Sequence, residues 1–118
     1  MQNWCQACDL RFANMAANER AADGTLSVQP MDTAVGLGHE FVHVSHILNG
    51  TMDYTTPGQH VFSEGGITYV ESEKAEEFRT VGLSYNRPGD ITENQIRREL
   101  GYGPRATYTK RDKWVIRK

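Results

Sequence analysis

Two histidines and a glutamate occur in the order His-Glu-x-x-His, at His39, Glu40 and His43. Residues four apart lie on the same face of an α-helix, so the imidazoles of His39 and His43 can reach one metal ion. Glu40 lies about 100° further round such a helix, where its carboxylate can take a proton from a water at the metal. The pattern predicts a zinc site with Glu40 as general base.

The segment from Asp32 to Leu48 has the pattern of a helix that could carry this motif. Apolar residues recur at spacings of three and four and form a stripe on the side away from the two histidines. They are Ala34, Leu37, Phe41, Val44 and Leu48. We therefore expect a helix whose apolar back lies in the core and whose histidine face lines a site.

The ends of this helix are also marked. Asp32 or Thr33 can cap its start, and Asn49-Gly50 supplies the left-handed residue that commonly ends a helix. Gly36 and Gly38 each cost about 1 kcal/mol inside a helix relative to alanine. Their presence indicates that another segment packs closely against the first turns.

A catalytic zinc usually has three protein ligands and an open position for water, so His39 and His43 need a partner. His46 lies seven residues from His39, about 10 Å along the helix axis, which is too far for both to bind one ion. We consider His46 either a residue of the cleft or a surface histidine.

The third ligand is expected from a second helix, predicted over Glu71–Thr80. Glu77 is our choice, because Glu77-Phe78-Arg79-Thr80 places a small residue one turn after the carboxylate, which leaves room beside a metal. Glu76 is the main alternative, although two adjacent carboxylates on a helix cannot both point at one ion. The remaining alternatives are His60, an aspartate or no third protein ligand.

Such a site would hydrolyse a peptide bond. Zinc would act as a Lewis acid on the scissile carbonyl and lower the pKa of a water to about 7, and Glu40 would pass the proton to the leaving amine. The developing negative charge needs another donor. Tyr108, Arg105, His46 and His60 can all donate, and we take Tyr108 as the catalytic candidate.

The composition indicates one globular domain, residues 1–118: 38% of the 118 residues are hydrophobic, 24% are charged and the net charge is −2. No apolar run reaches about 18 residues, and the N-terminus lacks the regions of a signal peptide. Cys5 and Cys8 are interpreted as free thiols. Basic residues concentrate towards the C-terminus without a nucleic-acid-binding pattern, so neither nucleic acid nor membrane is expected as a partner.

The other expected elements make the chain an α+β domain. They are a short helix over residues 9–22, a strand over 25–29, a loop over 51–59, a hairpin pairing 60–62 with 67–70, a short helix opened by the capping-box pattern Thr92–Gln95 and ended by Gly101, and an extended tail after Pro104.

Four blocks carry a resemblance to a known family: Gly36–His46, Glu76–Leu83, Ile91–Glu99 and Gly101–Tyr108. His-Glu-x-x-His is shared by many unrelated peptidases, but Thr-Val-Gly followed by Thr-Glu-Asn-x-Ile-Arg-x-Glu is more particular. In these blocks the chain resembles the NleD-type effector zinc metallopeptidases and related toxin domains at the C-termini of bacterial polymorphic (Rhs-like) proteins. The first thirty residues and the last ten lie outside the resemblance.

The resemblance implies a small gluzincin-like α+β domain, in which a His-Glu-x-x-His helix and a second ligand-bearing helix are supported by a few short strands. It also implies a zinc-dependent endopeptidase that a bacterium delivers into another cell. His39, His43 and a glutamate of the Glu76-Glu77 pair would bind zinc, with Glu40 as base. The expected partners are a protein substrate in the target cell and a cognate immunity protein.

Two other functions fit the same residues. One is a zinc-dependent hydrolase or deamidase that acts on a non-peptide amide, because the same activated water serves both reactions. The other is a non-catalytic zinc domain that binds a partner through its basic tail. A closed site with four protein ligands would favour this second alternative.

Overall fold

A computed structural model describes residues 15–117 of the chain and shows an α+β fold. Along the chain the elements are β1 (Ala16–Arg20), β2 (Leu26–Pro30), α1 (Thr33–Leu48), β3 (Pro57–Glu64), β4 (Ile67–Lys74), α2 (Ala75–Val81), α3 (Glu93–Glu99), a 3₁₀ turn (Arg111–Lys113) and β5 (Val115–Ile116). Within these residues no helix has the length and apolar character needed to cross a membrane. Cys5 and Cys8 lie outside the described residues.

The strands form two small antiparallel sheets. β1 pairs with β2, and β4 lies between β3 and β5. The β3–β4 hairpin turns at Gly65 and Gly66, whose φ values of 60° and 78° are those a two-residue type I′ turn requires. The predicted hairpin is confirmed but is longer than expected, because β3 already begins at Pro57 and shortens the predicted loop.

Two helix predictions were wrong in part. The helix predicted over residues 9–22 is a strand at Ala16–Arg20, and its earlier part lies outside the described residues. The Asp23-Gly24 turn lets this segment pair with β2, and that pairing overrides local helix propensity. In the second case Glu71–Lys74 continue β4, and α2 begins only at Ala75.

The bounds of α1 are as predicted. The Asp32 side chain accepts a hydrogen bond from the Ala34 N–H at 2.7 Å, and Gly50 follows the helix with a φ of 69°. A Cβ added to Gly38 would lie 2.7 Å from Ile96 Cδ1, so this glycine lets α3 pack closely, as expected. The capping box of Thr92 and Gln95 at the start of α3 is also confirmed.

The face of α1 that is buried was predicted wrongly. Phe41, Val44 and Leu48 are 68%, 45% and 80% exposed, Ala34 is exposed too and Leu37 is half-buried, whereas His39 and His46 are buried. The helices α2 and α3 pack against the histidine face. Their carboxylates pair with the imidazoles, and such pairing offsets the cost of burying polar groups.

The C-terminal tail packs back on the three-stranded sheet, as expected. The Trp114 ring centre lies 4.7 Å from that of Phe62 and 5.4 Å from that of Tyr69. Val115 and Ile116 then pair with β4. This packing keeps the preceding segment, which includes Tyr108, next to β4 and α1.

Candidate metal centre

Three predicted ligand side chains converge where α1 and α2 meet. The Nε2 atoms of His39 and His43 lie 3.1 Å apart, and Glu77 Oε1 lies 3.1 Å from the first and 2.9 Å from the second. His39 and Glu77 are buried and His43 is half-buried. One turn of α1 separates the two histidines, and α2 brings in the carboxylate from the side.

The other ring nitrogen of each histidine faces a second carboxylate. His39 Nδ1 lies 2.8 Å from Glu93 Oε1, and His43 Nδ1 lies 3.0 Å from Glu76 Oε2. An imidazole that donates its Nδ1 proton to a carboxylate carries its lone pair on Nε2. In the neutral imidazoles these contacts favour the tautomer that can bind a metal through Nε2.

Glu76, the alternative third ligand, points away from the Nε2 atoms. Besides His43 Nδ1, its Oε2 accepts hydrogen bonds from Thr80 Oγ1 at 3.1 Å and from His46 Nδ1. His43, His46 and Glu76 form a second group with metal-binding atoms in reach of one another. In this group the Glu76 oxygen already accepts three hydrogen bonds, so its position suits a role in orienting His43.

Sequence reasoning missed Glu93, although it lies in the Thr-Glu-Asn block of the resemblance. It is fully buried, and it also accepts hydrogen bonds from Arg97 Nε at 2.7 Å and from an Arg105 Nη at 2.9 Å. Burial raises its pKa, but His39 and the two arginines outweigh this and hold the pKa at about 2. Glu93 is thus a charged link between His39 and the 105–109 segment.

Burial and neighbouring charged groups also shift the pKa values of the converging side chains. Burial lowers the pKa of His39, but hydrogen bonds with Glu77 and Glu93 raise it to about 9. The pKa of Glu77 is held well below its usual range, against the effect of burial, by both histidines and by Tyr54. Tyr54, also missed, donates to Glu77 Oε2 at 2.6 Å.

A cleft of about 320 Å³ opens beside these groups. Glu40 and Tyr108 line it together with Tyr54 and three methionines, Met15, Met31 and Met52. Glu40 is exposed, and within residues 15–117 its carboxylate makes no hydrogen bond or ion pair. The Tyr108 ring centre lies 6.3 Å from that of His39, and burial raises the pKa of its hydroxyl.

The four candidate donors to the developing negative charge differ in their location and in their hydrogen-bond partners. Arg105 lines the cleft, but each of its guanidinium nitrogens already donates to Glu93 or to a backbone carbonyl. His46 is buried against Glu76 instead of lying in the cleft or on the surface, and His60 pairs with Glu71 on the β3–β4 hairpin. Tyr108 lies in the cleft with a hydroxyl that has no partner among the described residues.

The chain is similar to a known family of proteins. The family model Peptidase_M91, described as effector protein, matches residues 12–108, which is most of the chain and extends further towards the N-terminus than the four blocks. No curated protein and no solved structure matches the chain. The family match indicates a peptidase-type effector, and the His and Glu groups are of a kind that holds a metal. The chain belongs to the Peptidase_M91 family of effector proteins.

Proposed function

We propose that this protein is a zinc-dependent endopeptidase that acts as an effector, with His39, His43 and Glu77 as zinc ligands. The observation that carries the proposal is the convergence of His39 Nε2, His43 Nε2 and Glu77 Oε1 within 3.1 Å of one another. Both Nδ1 atoms are engaged by carboxylates at the same time.

The donor set suits zinc. Zinc binds histidine nitrogen and carboxylate oxygen at about 2.0–2.2 Å, so tetrahedral ligand atoms lie roughly 3.4 Å apart. The three atoms are slightly closer than this, at 2.9–3.1 Å, and a small outward rotation of the side chains would bring them to that spacing. Three protein ligands beside a cleft leave a position for water, which favours a catalytic site over a closed structural one.

When bound, zinc supplies a Lewis acid that makes a water acidic near neutral pH and polarises a carbonyl. Glu40 would accept the proton of that water and deliver it to the leaving amine. Among residues 15–117 its carboxylate has no other partner, which supports this role, because Glu76, Glu77 and Glu93 are each engaged by neighbouring side chains. Tyr108 would donate its hydroxyl hydrogen to the oxygen on which negative charge develops.

Membership of an effector family supports a protein of a target cell as the substrate and delivery of the enzyme into that cell. We also propose that the producing bacterium has a cognate immunity protein as a partner of this effector. The peptidase family favours peptide bonds over the non-peptide amides of the alternative hydrolase.

The test uses Glu40→Gln, which keeps the shape of the side chain but cannot accept the proton. We expect this variant to cleave no peptide of a proteome-derived mixture, as measured by mass spectrometry. Its zinc content should stay at one equivalent. Glu99→Gln is the matched control, because this exposed residue lies on α3 away from the cleft. Turnover near the wild-type level in Glu40→Gln would show that Glu40 is not the base.

A further inference from the structure

A buried carboxylate lies behind the segment that carries Tyr108. Glu71, on β4, has no exposed surface. It accepts hydrogen bonds from the backbone N–H of Tyr108 at 2.9 Å, from the N–H of Thr109 at 2.7 Å and from the Thr109 hydroxyl at 2.6 Å. His60 Nδ1, on β3, lies 2.9 Å from Glu71 Oε2, the oxygen that also lies 2.9 Å from the Tyr108 nitrogen. Glu71 therefore has four donors, and two of them are consecutive backbone amides.

The carbonyl side of the same segment is held by Arg105. Its guanidinium donates to the carbonyl oxygens of Thr107 at 3.1 Å and of Tyr108 at 2.9 Å. It also lies over the Tyr108 ring, 5.0 Å from the centre. Arg105 is itself anchored by Glu93, which contacts His39. The backbone of Tyr108 is thus fixed on its N–H side by one buried carboxylate and on its C=O side by a buried cation.

These contacts determine where the Tyr108 side chain can reach. A tyrosine with a fixed backbone has only two side-chain torsions left. The ring is further confined by His39 on one side and by Phe78, whose ring centre lies 6.3 Å away, on another. The Tyr108 side chain, whose hydroxyl has no partner among residues 15–117, is thereby held in the lining of the cleft. A donor that stabilises developing charge works only when it is placed in advance in this way.

We propose that Glu71 is a positioning residue for catalysis, which holds the Tyr108 hydroxyl at the cleft by binding the backbone amides of Tyr108 and Thr109. The inference rests on the proposed function, since it assigns Glu71 a role through Tyr108. If the contacts of Glu71 were purely structural, breaking them would lower stability, and any loss of activity would not depend on the Tyr108 hydroxyl.

The experiment is a double-mutant cycle of Glu71→Gln with Tyr108→Phe, measured on a peptide chosen from those that the wild-type enzyme cleaves in a proteome-derived mixture. A glutamine has one acceptor oxygen and one NH2 group, so it places a donor against either His60 or the Tyr108 amide and weakens the hold on the segment. We expect kcat to fall roughly 10–100-fold, with KM and zinc content nearly unchanged, because small misplacements of a catalytic group have effects of this size.

In the Tyr108→Phe background the hydroxyl is already absent, so adding Glu71→Gln should change kcat by less than about two-fold. Glu99→Gln, the same change at an exposed residue of α3 that does not line the cleft, is the matched control and should leave kcat unchanged in both backgrounds. Thr109→Val removes only one of the four donors and should give a smaller loss of kcat. This loss, too, should disappear in the Tyr108→Phe background.

Equal losses of kcat from Glu71→Gln in both backgrounds, or a parallel loss of zinc, would overturn the inference and show a structural role. If Glu71→Gln does not fold, the Thr109→Val cycle decides by the same criterion. If Tyr108→Phe alone leaves kcat unchanged while Glu40→Gln abolishes it, the inference on Glu71 fails and the proposed peptidase stands. If Glu40→Gln retains activity, the proposed mechanism itself fails.

Discussion

The Nε2 atoms of His39 and His43 lie 3.1 Å apart, and the Nδ1 atom of each ring lies within 3.0 Å of a different carboxylate, which favours the tautomer with its proton on Nδ1. In that tautomer both Nε2 atoms carry a lone pair, and two facing lone pairs at this distance repel each other. A cation between them removes the repulsion and binds Glu77 as well. Without a metal a proton can take this place, in line with the raised pKa of His39.

Replacing either histidine should therefore affect metal content and stability together. His39→Ala or His43→Ala should lose bound zinc and unfold at a lower temperature, because metal binding contributes to the folding free energy of so small a domain. Zinc content by elemental analysis and thermal unfolding with and without chelator would measure both effects. A variant that keeps one tightly held equivalent of zinc would contradict the ligand assignment.

The acidic pair on α2 gives a second prediction. Glu77→Gln should weaken zinc binding severely, because it replaces a carboxylate that faces both Nε2 atoms. Glu76→Gln should cost roughly 10–100-fold in affinity, since Glu76 acts on His43 through Nδ1. Competition with a chelator of known zinc affinity measures both changes. A larger loss for Glu76→Gln would move the assignment to that residue.

Replacing Glu93 should change both zinc affinity and the free energy of unfolding. Glu93→Gln removes the charged partner of His39 Nδ1 and also that of the buried Arg97 and Arg105, of which Arg97 keeps Glu19 at 3.5 Å. Removing one partner of a buried ion pair costs about 3–5 kcal/mol, so the free energy of unfolding should fall by about this amount.

Urea unfolding at saturating zinc measures the stability change of Glu93→Gln, and chelator competition measures zinc affinity. We expect both to fall, whereas Glu76→Gln should change affinity more than stability. Unchanged stability in Glu93→Gln would show that the arginines find other partners.

The ion pair of Arg79 and Asp90 predicts a dependence on pH. Two hydrogen bonds of 2.9 Å from the Arg79 guanidinium hold the pKa of Asp90 at about 2, below the usual value of about 3.9. As the pH falls, Asp90 therefore takes up its proton at a higher pH in the unfolded chain than in the folded protein. The contribution of the pair to stability should be complete above about pH 4 and be lost as the pH falls towards about 2.

Asp90→Asn removes this contribution. Urea unfolding of the variant and the wild type should differ at pH 5 and converge towards pH 2. Any loss of zinc in acid affects both proteins alike, so the difference between them isolates Asp90. A difference that stays constant over this range would mean that the asparagine acts by some means other than lost charge.

The sequence alone was sufficient for the features that depend on neighbours along the chain. It determined the bounds of α1 through the Asp32 cap and Gly50, the β3–β4 hairpin through Gly65 and Gly66, and the start of α3 through the Thr92 capping box. The one-turn spacing of His39 and His43 is likewise local. In each case hydrogen bonds within a few residues decide the conformation, so the pattern of residue types carries the information.

Only the tertiary structure decided which face of α1 is buried. Periodicity favoured the side of Phe41 and Leu48, but His39 and His43 face the protein because Glu93 and Glu76 reach them from helices 54 and 33 residues away along the chain. The roles inferred for Glu93, Tyr54 and Glu71 depend on such long-range contacts. Burial of a charged side chain is favourable only beside its partner, and which partner it meets is determined by the packing of separate elements.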